Sequence, residues 1–164
     1  MTTDDNLKAA FAGESQANRK YIAYAKKADQ EGYHHVARLY RAVAEAETVH
    51  ALNHLRVMDG MRSTDENLKA SIEGENAEFQ AMYPGFIKEA KAEEAQDAAI
   101  LSFDLANQVE QIHAGLFKEA LENLGSNKEV DYYVCQVCGN TVKNNPPDRC
   151  PICKASKDMF NKIE

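Results

Sequence analysis

Apolar residues recur every three to four positions through most of the chain, the period of an amphipathic helix. The pattern predicts four long helices at roughly 4–31, 33–59, 64–92 and 95–124. Gly32 and Gly60 close the first two, and Ser63 followed by Glu66 is a capping box that opens the third. Pro84-Gly85 predicts a kink inside the third, because proline removes an intrahelical donor. The turn before the fourth is weakly marked, since residues 91–96 contain neither Gly nor Pro. The inward stripes read Leu7, Phe11, Glu14, Ala17, Tyr21 and Val36, Leu39, Val43, Glu47, His50 on the first two helices. They continue as Leu68, Ile72, Glu75, Glu78, Met82 and Ile100, Phe103, Glu110, His113, Phe117, Leu121 on the others.

On each stripe a carboxylate stands between apolar neighbours, where a core residue belongs. An isolated ionised carboxylate in an apolar interior costs several kcal/mol, so a layer of Glu14, Glu47, Glu75, Glu78 and Glu110 needs compensation. Bound cations supply it. Glu47-x-x-His50, Glu75-x-x-Glu78 and Glu110-x-x-His113 each place two ligands on one face, about 4.5 Å apart along the axis. A Glu from each of two helices and Glu-x-x-His from each of the other two is the ligand layout of di-iron and di-manganese four-helix bundles of the ferritin-like type. Glu14, Glu47/His50, Glu75 and Glu110/His113 form that set, with Glu78 as an extra carboxylate. The midpoint of Glu14 and Glu47 falls beside Gly32, and that of the two later motifs falls in the turn before the fourth helix, so both hairpins level their ligands. A single Glu-x-x-His pair in an Ala/Glu-rich helix arises readily by chance; four carboxylate motifs in register, one on each apolar stripe, do not. His54 reads as a supporting or surface residue, and His34 and His35 as exposed.

Composition changes at about residue 131. Three of the four prolines and all four cysteines follow it, which predicts a helical domain over 1–130 and a small module over 131–164, joined by a linker at Gly125-Ser126-Asn127-Lys128. Cys135-x-x-Cys138 and Cys150-x-x-Cys153, eleven residues apart, present four thiolates to a tetrahedral metal. Tetrahedral sulfur suits zinc or iron alike, and a structural zinc ribbon is the alternative that spacing alone leaves open. The 164 residues carry 19 Lys+Arg against 26 Asp+Glu, net -7, which argues against a nucleic-acid binder. There is no apolar run long enough for a membrane span and no basic-then-apolar leader after Met1, so a cytoplasmic protein with reduced cysteines is expected.

Taken together, Phe11-Ala-Gly-Glu14-Ser-Gln-Ala17, Glu47-Thr-Val-His50-Ala51, Gly74-Glu75-Asn-Ala-Glu78 before Met82-Tyr83-Pro84, Glu110-Gln-Ile-His113-Ala114 and the two cysteine knuckles resemble the rubrerythrin family over nearly the whole chain. One departure is Lys154, where a typical rubredoxin knuckle has glycine. The resemblance implies an all-α ferritin-like four-helix bundle with a C-terminal rubredoxin-like domain. It implies a non-haem di-iron peroxidase that reduces hydrogen peroxide to water, protects against oxidative stress and relays electrons through a four-cysteine iron, zinc being the other metal to consider. By that resemblance Glu47 and Glu110 would bridge the irons, with Glu14 terminal on one and Glu75 and His113 on the other. Glu78 and His50 would exchange as ligand of the first iron between redox states. Tyr21 and Tyr83 match tyrosines whose hydroxyls would orient carboxylates. An electron-donating reductase or rubredoxin would be the partner. A ferroxidase or iron-handling protein, and an electron carrier on a metal-stapled scaffold, are the competing readings.

Loop length bears on assembly. A ferritin-like crossover from the second helix to the third must traverse roughly 40 Å. Only residues 60–64 separate Asp59 from Asp65, and at about 3.5 Å each they cannot reach. Either the bundle runs up-down-up-down, or the first hairpin of one chain pairs with the second of another. The resemblance favours a homodimer with swapped hairpins, or a larger even oligomer.

Overall fold

The computed structural model describes residues 2–126 and 128–164. Asn127, in the expected linker, and Met1, at the start of the leader reading, lie outside the described residues. Helix α1 (Thr3–Gln30) starts at a capping box in which Thr2 and Asp5 satisfy each other's backbone N–H groups. It ends at Gly32, whose φ of 84° lets Tyr33 N–H donate to Ala28 O at 2.8 Å. Helix α2 (His34–Val57) ends in the same way, but with Asp59 in the left-handed position. Gly60 follows because any Cβ there would fall 2.3 Å from Leu55 Cδ1.

The third helical stretch is α3 (Thr64–Ala77), one π turn (Glu78–Met82) and α4 (Tyr83–Ala92), again opened by a capping box, Ser63 with Glu66. The expected proline kink takes the form of this π turn. Pro84 has no N–H for the carbonyl four residues back, and Tyr83 N–H donates instead to Glu78 O, five residues back. Helix α5 (Asp97–Glu122) completes the set.

The chain forms two compact units, 1–62 and 63–164. In the first, α1 and α2 are an antiparallel hairpin joined along Ala25 and Ala28 on one side and Ala37, Ala44 and Ala51 on the other. Asn18 is buried among them and donates to Ala44 O at 2.7 Å and Thr48 Oγ1 at 2.8 Å. Alanines make this seam because they let the helices approach closely. The stripe expected to face inward, Val36 and Leu39, is left 44% and 63% exposed. Within the hairpin it is the small-residue face of each helix that is buried.

The second unit holds the α3/α4–α5 hairpin and a three-stranded antiparallel sheet in the order β2 (Thr141–Lys143), β1 (Tyr132–Cys135), β3 (Phe160–Ile163). Cys135, Cys150 and Phe160 form the module's core. Strand β2 runs along α5: Gly139 faces the buried Val109, Thr141 meets His113, and Lys143 pairs with Glu119. Among the described residues no helix is long and apolar enough to cross a membrane.

Candidate metal centres

Glu14 on α1 and Glu47 and His50 on α2 converge because the turn at Gly32 levels the two helices and the three-residue step puts Glu47 and His50 on one face. His50 Nδ1 stands 3.0 Å from Glu47 Oε2 and 3.8 Å from Glu14 Oε1. The ring is 55% exposed whereas the Glu47 side chain is 15% exposed, so the carboxylate is sunk into the hairpin and the imidazole lies over it.

The second unit repeats the motif. His113 Nδ1 is 2.8 Å from Glu110 Oε2 and 3.9 Å from Glu75 Oε2, all three side chains being mostly buried. Burial raises the Glu75 carboxyl above its ordinary value, and the Glu110 charge adds to this while His113 opposes it. Tyr83 lies in the same field. Its phenol is pushed up by burial and then by the charges of Glu110, Glu78 and Glu75. Glu78 opens the π turn, half-buried, outside the three-residue group. Tyr21 sits two turns from Glu14, with ring contacts to Tyr24 and Tyr40 at 6.3 and 5.9 Å. His54 is half-buried, while His34 and His35 are exposed, His34 against Asp29.

Both groups fit a cation. Ligand atoms within 4.8 Å of one another, at separations of 2.8–3.9 Å, are what nitrogen and oxygen about 2.1 Å from a shared ion would show. Without an ion, each would crowd two carboxylates around one imidazole.

The four cysteines are free thiols gathered into one cluster. Sγ atoms of Cys135 and Cys153, and of Cys138 and Cys150, are 3.6 Å apart. Tetrahedral bonds of about 2.3 Å call for about 3.8 Å, so the cluster fits one metal ion. Burial pushes the Cys150 thiol up, but backbone N–H groups of Cys153 and Ile152 pointing at its sulfur outweigh that and bring it down to about 7. Cys138 is raised, burial outweighing the N–H of Asn140. Buried Asn140 adds a donor to Cys150 Sγ at 3.6 Å. Lys154, the departure from the glycine pattern, adopts φ 64° and donates its N–H to Cys150 O at 3.0 Å, as Gly139 with φ 82° donates to Cys135 O at 2.8 Å. The knuckle geometry is therefore kept without the glycine.

Sequence reasoning missed Thr141. Its Oγ1 lies 3.1 Å from His113 Nε2 and donates to Gly139 O at 3.1 Å. Nothing local marks it, because its partner is 28 positions earlier.

The family model for rubrerythrin matches residues 5–121, and that for the rubrerythrin rubredoxin-like domain matches residues 133–161. Rubrerythrin-2 of Clostridium acetobutylicum is 33% identical over 175 residues, covering 96% of this chain and 95% of that protein. Nigerythrin of Nitratidesulfovibrio vulgaris is 35% identical over 173 residues, covering 97% and 85%. Solved structures of nigerythrin in a mixed-valence state and in the fully reduced, all-ferrous state each align with TM-score 0.60, at 34% and 33% identity, over 99% of this chain and 87% of theirs. With a ferritin-like helical domain bearing the Glu/His ligands of a di-iron site and a rubredoxin-like four-cysteine domain after it, the chain belongs to the rubrerythrin family.

Proposed function

We propose that this protein is a non-haem di-iron peroxidase that reduces hydrogen peroxide to water and so protects against oxidative stress. The observation that carries this reading is the short bridge between its two kinds of centre. From Cys138 the backbone passes to Gly139, whose carbonyl accepts from Thr141, which in turn meets the His113 ring. A store of iron has no need of such a link, whereas a reductase must be refilled with electrons. Two ferrous ions, when bound, supply the two electrons that O–O cleavage requires, and a four-thiolate iron cycles by one electron, which zinc cannot do.

The chain's own groups have definable parts. Glu47 and Glu110, the best-buried carboxylates of the two groups, would bridge the irons; Glu14 would hold one, and Glu75 with His113 the other. Glu78 and His50 would alternate on the first. The Tyr83 phenol, held protonated by burial and then by the charges of Glu110, Glu78 and Glu75, would orient those carboxylates through its hydroxyl. Backbone N–H groups of Cys153 and Ile152, of Ala155 and of Asn140, aimed at the sulfurs of Cys150, Cys153 and Cys138 respectively, stabilise thiolate charge at the other centre.

The complete site needs both ligand groups. Each is borne by a separate hairpin, and the α2 group lies along an apolar stripe with Val36, Leu39 and Val57 exposed. Residues 58–63 between α2 and α3 are too few to traverse a helix of that length. These facts support a homodimer in which hairpins are exchanged between chains. Four unbridged cysteines suit a reducing compartment, hence a cytoplasmic location, and the electron donor would be a reductase or a rubredoxin.

The test is to reduce the iron-loaded protein anaerobically, add one equivalent of hydrogen peroxide, and follow the visible spectrum against a sample given dioxygen while counting metals. A pair of irons plus a single one per chain, with faster reoxidation by peroxide, is the expected result. Glu47→Ala or His113→Ala should cut turnover by about 100-fold or more with the cysteine-centre spectrum intact. Zinc at the cysteines, or oxidation mainly by dioxygen, would shift the reading to a ferroxidase.

A further inference from the structure

The two Glu/His groups are near copies except in what holds the back of each imidazole. His113 has a contact on both ring nitrogens: Nδ1 faces Glu110 and Glu75, and Nε2 faces Thr141 Oγ1 at 3.1 Å. A threonine hydroxyl has one proton. Gly139 O, 3.1 Å from the same Oγ1, can only accept; with a cation held at Nδ1 the ring proton sits on Nε2, so the hydroxyl donates to Gly139 and accepts from His113. Gly139 is fixed in turn, its N–H donating to Cys135 O at 2.8 Å and its φ of 82° set by the knuckle. The ring of His113 is thus turned so that its Nδ1 lone pair is available to a cation held by Glu110 and Glu75. His50 differs. Its polar contacts, to Glu47 and Glu14, are through Nδ1, its ring is 55% exposed, and among the described residues Nε2 has no hydrogen-bond partner.

We propose that Thr141 is a positioning residue that fixes the ring of His113 as a ligand, its hydroxyl accepting the Nε2–H while Nδ1 faces the carboxylate site. This rests on the reading that both groups hold iron. It assigns to a strand of the cysteine module a part in shaping the carboxylate centre.

The test uses the full chain filled with zinc, which is diamagnetic, and 15N-labelled histidines. In the parent protein the Nε2–H of His113 should be protected from solvent exchange and that of His50 should not. Thr141→Val, which keeps the shape and removes the hydroxyl, should speed exchange at His113 about fivefold or more, leave His50 unchanged, and raise the rate at which a chelator strips metal from the carboxylate site about tenfold. Thr141→Ser should restore both. Unchanged protection in Thr141→Val, or lost protection with unchanged metal release, would overturn the proposal. Peroxide turnover, measured separately on iron-loaded protein, distinguishes the two readings. Absent turnover with the NMR signature intact would defeat the peroxidase and leave the anchor, and full turnover with no signature would do the reverse.

Discussion

Glu75 shows what a buried carboxylate costs when nothing neutralises it. Burial and the charge of Glu110 raise its carboxyl above the ordinary value, so the folded chain favours the neutral form. That stabilising preference is complete at pH below the ordinary carboxylate range of about 4.3 and is lost as pH rises through the raised value. In the metal-free protein, Glu75→Gln should therefore raise the denaturation midpoint at neutral pH, with the gain vanishing in mild acid. In the metal-loaded protein the same substitution removes a ligand and should lower the midpoint. Denaturant titrations of both forms at two pH values check the reversal. The grouping of side chains at this scale was legible in the sequence, because Glu110 and His113 lie one turn apart and need only a helix to meet.

At the scale of elements, capping residues wrote most boundaries into the chain. Thr2 with Asp5, Ser63 with Glu66, and Gly32 stand where α1 begins, where α3 begins and where α1 ends. The turn between α4 and α5 carried no such mark, and the structure shows why. Glu94 takes the left-handed position, φ 52°, while Ala95 N–H reaches back to Ala90 O at 2.9 Å, so the motif usually made with glycine is made without it. A side chain in that conformation costs about 1 kcal/mol or somewhat more. Glu94→Gly should stabilise the protein by about 1 kcal/mol, read as a higher denaturant midpoint at unchanged slope. The π turn was half legible: Pro84 announced a disturbance, but which carbonyl would find which donor depended on the geometry of the preceding turn.

For the whole molecule, the exchanged-hairpin dimer makes a demand that a chain closing on itself does not. A variant dead in the first hairpin (Glu14→Ala with Glu47→Ala) and one dead in the second (Glu110→Ala) should each lack a di-iron site. Unfolded together and refolded as a mixture, they should regain metal binding, since one composite site of each mixed dimer then draws both intact hairpins. Light scattering should report a dimer or larger even assembly throughout. Failure to complement, with a stable metal-loaded monomer, would eliminate the exchange.

What the sequence determined by itself was whatever depends on short spacing: the helices, the ligand pairs one turn apart, and the two Cys-x-x-Cys knuckles. What only the tertiary structure decided was which face of each helix met its neighbour and which distant group met a ligand. The stripe with Val36 and Leu39 had the larger apolar residues, yet the hairpin closed along Ala37, Ala44 and Ala51, because small side chains permit the closest approach of two backbones. Thr141 joined His113 for a similar reason: β2 lies along α5 with Gly139 against Val109, and such a contact depends on how surfaces fit rather than on any pattern a single segment displays.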